Sequence, residues 1–320
     1  MYVFVLGTGR CGSSLVHEVL ARHPDVGFIS NAEDNLARLH LKGRWNNALF
    51  RATPAGFSEK GRVRFAPSEA YRLLDATVSP MISTPLRDLV AEDVTPWMEG
   101  RLRRFFEGRA RAQAKPVFSH KFTGWPRAGF LHRIFPDARF IHVVRDGRAV
   151  ANSWLQTDWW LGYRGPENWQ WGPLPARYRQ EWEASNRSFV TLAGICWKLL
   201  MDAFASARAA VPGSRWLEVR YEDILAEPQA RFAELLSFQG LTWTRDFERG
   251  FRRYTFRSAR KAAYETDLGP AGLGRLEVSL ADHLRRYDYA ASRGAERGAG
   301  RGAARPAPAG EPAPVTSPAT

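Results

Sequence analysis

Cysteine is scarce in this 320-residue chain: only Cys11 and Cys196, too few for a disulfide framework. Reduced thiols and a cytoplasmic protein are expected from that usage. Long apolar runs are also lacking. No stretch reads as long and apolar enough to span a bilayer, so a transmembrane protein is not expected. Met1 leads straight into a short strand-like run, and no signal peptide is expected. Acidic residues are the minority, 33 Asp and Glu against 46 Lys and Arg, for a formal net charge of +13. Such an excess attracts anions in general, a nucleotide as readily as a nucleic acid. An Arg- and Ala-rich composition alone also produces it. Neither zinc-finger spacing nor an RNA-binding signature is present, so no specific nucleic-acid partner is expected. From about Ala291 onward, large apolar residues other than Val315 are missing, and Gly, Ala, Pro, Arg, Ser and Thr dominate. That composition cannot bury enough surface to fold. One α/β domain is expected over residues 1–290, followed by a disordered tail over 291–320.

What is present begins at Val3-Phe4-Val5-Leu6, a short apolar run of the kind that forms a buried strand. Gly7-Thr8-Gly9-Arg10-Cys11-Gly12-Ser13-Ser14 follows, and then Leu15-Val16-His17-Glu18-Val19-Leu20 at helical spacing. Strand, Gly-rich loop and helix make a phosphate cradle, because glycine lets backbone approach an anion and the helix N-terminus favours negative charge. Gly7 and Gly12 have the spacing of an ATP-binding loop. Ser13 stands where that loop has its Lys, and Arg10 is the only cation inside it. A phosphate loop is expected, but not one for the triphosphate of ATP or GTP.

Further strand-like runs occur at Val26–Ile29, Val117–His120, Arg139–Val144 and Arg215–Val219. Helices are expected near 68–76, 80–90, 96–114, 127–134, 176–210 and 228–240, with irregular chain over 41–64 and a Gly-containing loop and terminal helix over 268–289. Recurrent strand-loop-helix units predict an α/β fold: a P-loop-like parallel sheet flanked by helices, with helical and irregular insertions. In such sheets ligands bind at the C-terminal strand ends, where Ser30 to Asn35 fall. Six tryptophans lie between Trp154 and Trp182. They read either as a lid or acceptor wall or as a helix-packing interface.

A second basic motif follows the clearest strand: Arg145-Asp146-Gly147-Arg148, with Ser153 in the next helix. An Arg fork suits a terminal phosphate. Alone, the motif is equally an ion-pair cluster at a helix start. Together with the first loop it resembles the sulfotransferases that use 3′-phosphoadenosine 5′-phosphosulfate (PAPS), in the bacterial and Golgi-type branch that includes tyrosylprotein and carbohydrate sulfotransferases. His23-Pro24-Asp25-Val26 and Arg220-Tyr221-Glu222-Asp223 occupy similar places in that family.

The resemblance implies that Gly9, Arg10, Cys11, Gly12, Ser13 and Ser14 hold the 5′-phosphosulfate of the donor PAPS, and that Arg145 and Ser153 hold its 3′-phosphate. Cys11 replaces the usual Ser, and a small inert residue suits a position that offers mainly its backbone N–H. Tyr221 is placed to contact the adenine or simply to pack. Gly274-Arg275 falls where the family has a late loop closing over the donor. Arg10 would neutralise charge on the sulfonate and the leaving phosphate, with no metal required. Lys121 is either a second such cation or an ordinary strand-end Lys. The acceptor needs a general base. Glu33, slightly displaced from the family's Glu, is the nearest match, with Asp34 and His120 as rivals. Their alternatives are a helix N-terminal carboxylate for Glu33 and a core histidine for His120. The acceptor is open among carbohydrate, lipid, small molecule and peptide. A P-loop nucleotide kinase, including one acting on adenylyl sulfate, and a non-catalytic nucleotide- or nucleic-acid-binding protein are the alternative functions.

Overall fold

The run after Met1 forms β1 (Tyr2–Gly7), buried from Val3 onward. The computed structural model describes residues 1–53, 65–257 and 262–289; the expected tail over 291–320 lies outside them. The other strands are β2 (Val26–Gly27), β3 (Val117–Thr123), β4 (Arg139–Val144) and β5 (Trp216–Arg220). They form one sheet in the order β2-β3-β1-β4-β5, and every pairing is parallel. β1 is apolar throughout because both faces are covered. Phe4 and Leu6 join one apolar cluster, with Phe106, Phe122 and Trp154. Val3 and Val5 join another, with Val16, Val19 and Phe232.

The topology positions the site. The chain leaving β1 runs through the Ser13–Leu20 helix toward β2 on one side of the sheet. The chain leaving the adjacent β4 runs through the Gly147–Leu155 helix and ends at β5 on the other side. Two neighbouring strands whose connections depart in opposite directions leave a crevice at their C-terminal ends, where open α/β sheets bind ligands. The Gly7–Ser14 loop and the Arg145 segment flank that crevice.

Several elements differ from the sequence reading. The expected 176–210 helix is two, Ala176–Ala184 and Phe189–Ala209, because Asn186 and Arg187 both turn left-handed at φ 55°. The second helix starts on its own cap, Ser188, whose hydroxyl accepts from the Thr191 N–H. Of the 80–90 helix only Pro80–Ser83 forms. The terminal helix expected within 268–289 begins at Gly269, with no preceding Gly-containing loop, and runs to Arg286 with Gly272, Leu276, Leu280 and Leu284 buried at four-residue spacing. Phe189–Ala209 is long and apolar enough to cross a membrane by composition, contrary to the expectation that no stretch is. It packs inside the fold, against the Gly147–Leu155 and Gly269–Arg286 helices. Among the tryptophans, Trp154, Trp160, Trp169 and Trp171 are buried, so most of that region is core.

Gly147 opens its helix directly against the buried Trp197 ring; an added Cβ would lie 2.6 Å from a ring carbon. Gly147→Ala gains some helix propensity, but overpacking a filled site costs about 1–3 kcal/mol and wins. Urea unfolding of this variant is expected to show a loss within that range; unchanged stability would mean the Trp197 ring is free to shift.

Candidate functional site

The loop after β1 is shaped by three left-handed residues, Gly9 (φ 83°), Arg10 (φ 56°) and Gly12 (φ 94°). Gly12 is fixed by space as well as conformation, since a Cβ there would lie 2.2 Å from the Tyr221 ring. Cys11 and Ser13 are buried. The Cys11 thiol fills the space beside Gly7, where a Cβ would meet Sγ at 2.3 Å. Side chains are thus turned into the fold at Cys11 and Ser13, while the half-buried Gly12 and Ser14 and the exposed Arg10 border the crevice.

The second motif closes on the first. Arg10 Nε donates to Ser153 Oγ at 2.8 Å, and Arg145 donates to the Arg10 carbonyl at 2.8 Å. The Arg145 guanidinium lies 5.0 Å over the Tyr221 ring, which covers Gly12 in turn. So Arg10, Gly12, Arg145, Ser153 and Tyr221, spread over more than two hundred residues of sequence, meet in one place. Arg148 does different work. It is buried and bonds Asp146 at 2.7 Å and Glu277 at 2.8 Å, tying the β4 loop to the C-terminal helix. Glu222 accepts the Asp146 N–H at 3.2 Å and braces the same loop. Arg275 corrects the reading of a closing loop: it is exposed on the Gly269–Arg286 helix, one turn of which anchors Arg148 through Glu277.

Lys121 comes from the C-terminal half of β3, one strand from the loop. Its ammonium donates to Ser14 Oγ at 2.7 Å and pairs with Glu69 at 2.7 Å. Burial alone would lower the Lys121 pKa, but the Glu69 charge and hydrogen bond outweigh it and raise the pKa, so the residue stays cationic. Glu69 also accepts from Thr123 Oγ1 at 3.1 Å. The Tyr71 hydroxyl accepts the Thr123 N–H at 3.0 Å. Sequence reading missed Glu69, Tyr71 and Thr123: Glu69 follows the irregular stretch and belongs to no motif, so nothing along the chain joins it to Lys121.

The three candidate bases are placed as follows. Glu33 is 2% exposed and fills the third position of the Asn31–Asn35 helix. Its carboxylate accepts the Ser30 N–H at 3.1 Å, Arg109 Nε at 3.3 Å and the Asn46 amide. Burial raises its pKa, opposed by those donors. This is a capping box with a buried ion pair, and an enclosed, fully engaged carboxylate is poorly suited to meet an acceptor. Asp34 accepts the Leu73 N–H at 3.0 Å and Ser68 Oγ at 3.3 Å, holding the 68–73 segment. His120 is fully buried between Phe106 and Phe122, and no described residue hydrogen-bonds either ring nitrogen. Burial, then the charges of His17 and Lys121, hold its pKa well below the ordinary value, which makes it a weak proton acceptor.

Two outcomes follow. Glu33→Ala leaves the Arg109 guanidinium buried without its carboxylate, and is expected to cost about 3–5 kcal/mol in urea unfolding; a change under 1 kcal/mol would mean the pair is not structural. His17, buried behind Lys121, has its pKa lowered from 6.5 to about 3 by burial and then by Lys121. The unfolded chain therefore binds the extra proton between those values, and the stability that neutral His17 contributes is complete above pH 6.5 and lost as pH falls toward 3. His17→Asn is expected to flatten the acid side of the stability profile relative to the parent; parallel profiles would contradict the burial.

A sulfotransferase from Mycobacterium avium shares the fold, with a TM-score of 0.57 at 14% identity over 90% of this chain and 77% of that one. The sulfotransferase domain of a Synechococcus olefin synthase aligns over 90% of this chain and 94% of its own at 17% identity, with a TM-score of 0.49. Protein-tyrosine sulfotransferase 2 of Gallus gallus is 22% identical over 255 residues, covering 76% of this chain and 52% of that protein. The chain thus spans about half the length of that curated relative. Over residues 3–245, including both phosphate motifs, it matches the sequence profile of the sulfotransferase family, and it belongs to that family.

Proposed function

We propose that the chain moves the sulfuryl group of PAPS to an acceptor hydroxyl or amine. The observation that carries this reading is the joining of two anion-binding motifs in one crevice, through Arg10 to Ser153 and Arg145 to the Arg10 carbonyl. A donor with a 5′-phosphosulfate and a separate 3′-phosphate needs two cradles that face each other. The loop from Gly7 to Ser14 suits the first group, and Arg145 with Ser153 suits the second. Charge-assisted contacts from an Arg fork match a terminal phosphate.

Sulfuryl transfer is an in-line displacement, so positioning and charge stabilisation do most of the work. Arg10 is exposed at the crevice, permanently charged, and suited to neutralise the sulfonate and the departing phosphate. Lys121 supplies a second charge. In an ATP-binding loop the hydroxyl at the Ser14 position carries Mg²⁺. Here that hydroxyl accepts from the Lys121 ammonium. This contact, with Ser13 in place of the loop Lys, favours sulfuryl transfer without a metal over a nucleotide kinase. The name of the chicken relative makes a phenol the first acceptor class to try.

Arg145→Ala and Ser153→Ala are each expected to weaken 3′-phosphoadenosine 5′-phosphate (PAP) by about 1.5–3 kcal/mol while changing AMP little. Calorimetric titration of both ligands checks this, and equal losses would mean these residues do not read the 3′-phosphate. Arg10→Ala is expected to reduce kcat more than donor affinity, because its charge matters most as the sulfonate transfers.

A further inference from the structure

We infer that Glu69 is the carboxylate that takes the proton from the acceptor. The inference rests on the sulfuryl-transfer reading above. Its basis is a built position. The 66–70 segment pairs with the chain beyond β2: Ser30 bridges Pro67, Asn31 N–H donates to the Ala66 carbonyl at 2.9 Å, and Ser68 N–H donates to the Ile29 carbonyl at 2.8 Å. Asp34 clamps both ends of the following turn, at Ser68 and Leu73. Inside the turn the Ala70 N–H donates to Ser68 Oγ at 3.0 Å, and Ala70 is held left-handed at φ 53°. A non-glycine residue rarely adopts that conformation and holds it only where its surroundings fix it. The turn delivers Glu69 to the C-terminal end of β3, against Lys121 and Thr123.

There the carboxylate is one ammonium away from the phosphate loop, since the same Lys121 Nζ bonds Glu69 and Ser14. Its exposure also differs from that of its partner and of the other candidate. The Glu69 side chain is 29% exposed, against 9% for Lys121 and 2% for Glu33. Glu69 therefore combines contact with the anion-binding cluster and exposure to solvent, the two properties that Glu33 and His120 lack. In the transfer, the acceptor O–H gives its proton to Glu69 and its oxygen forms the new O–S bond. The bond from sulfur to the 5′-phosphate oxygen breaks, and its electron pair leaves with PAP. Lys121 lies beside both carboxylate and loop, so as Glu69 is neutralised its positive charge is left to offset the negative charge gained by PAP.

The competing role is a plain counter-ion for buried Lys121. Full-length protein, ³⁵S-labelled PAPS and three acceptors of increasing acidity (water, serinol and 4-nitrophenol) separate the two under single-turnover conditions. Glu69→Gln keeps the size and hydrogen-bonding of the side chain and is expected to bind PAP within about twofold of the parent. Its transfer rate is expected to fall about 10²–10⁴-fold. The loss is expected in full with water and serinol and to shrink with 4-nitrophenol, which is largely ionised at neutral pH and needs no base; a structural counter-ion would give the same loss with all three. Near-parental turnover of Glu69→Gln with serinol, or a rate loss that is equal for all three acceptors or matched by lost PAP affinity, overturns the assignment. Parent protein that binds no PAP, or binds it and transfers nothing to any of the three, overturns the functional reading instead.

Discussion

The link that joins the two phosphate motifs is the contact from Arg145 to the Arg10 carbonyl, with Arg10 itself bonded to Ser153. It brings two guanidinium groups to one crevice, an arrangement unfavourable on its own. Sheet topology makes it possible, because β1 and β4 are neighbours and their loops open at the same edge. Left-handed Arg10 and the Tyr221 ring, wedged between Gly12 and the Arg145 guanidinium, fix the geometry. Concentrated positive charge at the mouth of a sheet is a standing invitation to an anion. An anion with two separated phosphates relieves it best.

The rest of the fold keeps that charge in place while sparing the interior. Arg148 shares the motif of Arg145, but Asp146 and Glu277 absorb its charge within the core. Lys121 is buried with Glu69 as counter-ion, and the two histidines behind it, His17 and His120, are held neutral. Behind Lys121, then, His17 and His120 add no charge, whereas Arg10 and Arg145 are left toward solvent.

Much of this was legible along the chain. Alternating short apolar runs and helical stretches predict the parallel sheet, and glycine spacing predicts the tight loop after β1. The pairing of Arg10, Arg145 and Ser153 follows from motif order, since each motif sits at a strand's C-terminal end. What failed depended on contacts between distant segments. Ser30-x-x-Glu33 carries the signature of a capping box, yet only the fold shows Arg109 closing on it. Glu69 carries no local signal, because its role depends on a turn held by Asp34 from another element. Arg275 follows a Gly that looks like a loop, but the four-residue spacing of Leu276, Leu280 and Leu284 makes the segment a helix. Asn186 and Arg187 break a helix whose apolar pattern runs on either side without a visible stop.

The most direct test of the central claim is a crystal structure of the protein with PAP. The account predicts one nucleotide spanning the crevice, with its 5′-phosphate in the loop from Gly7 to Ser14 beside Arg10 and Lys121, and its 3′-phosphate on Arg145 and Ser153. A nucleotide held by the loop alone, with its 3′-phosphate in solvent and Arg145 unengaged, would contradict it.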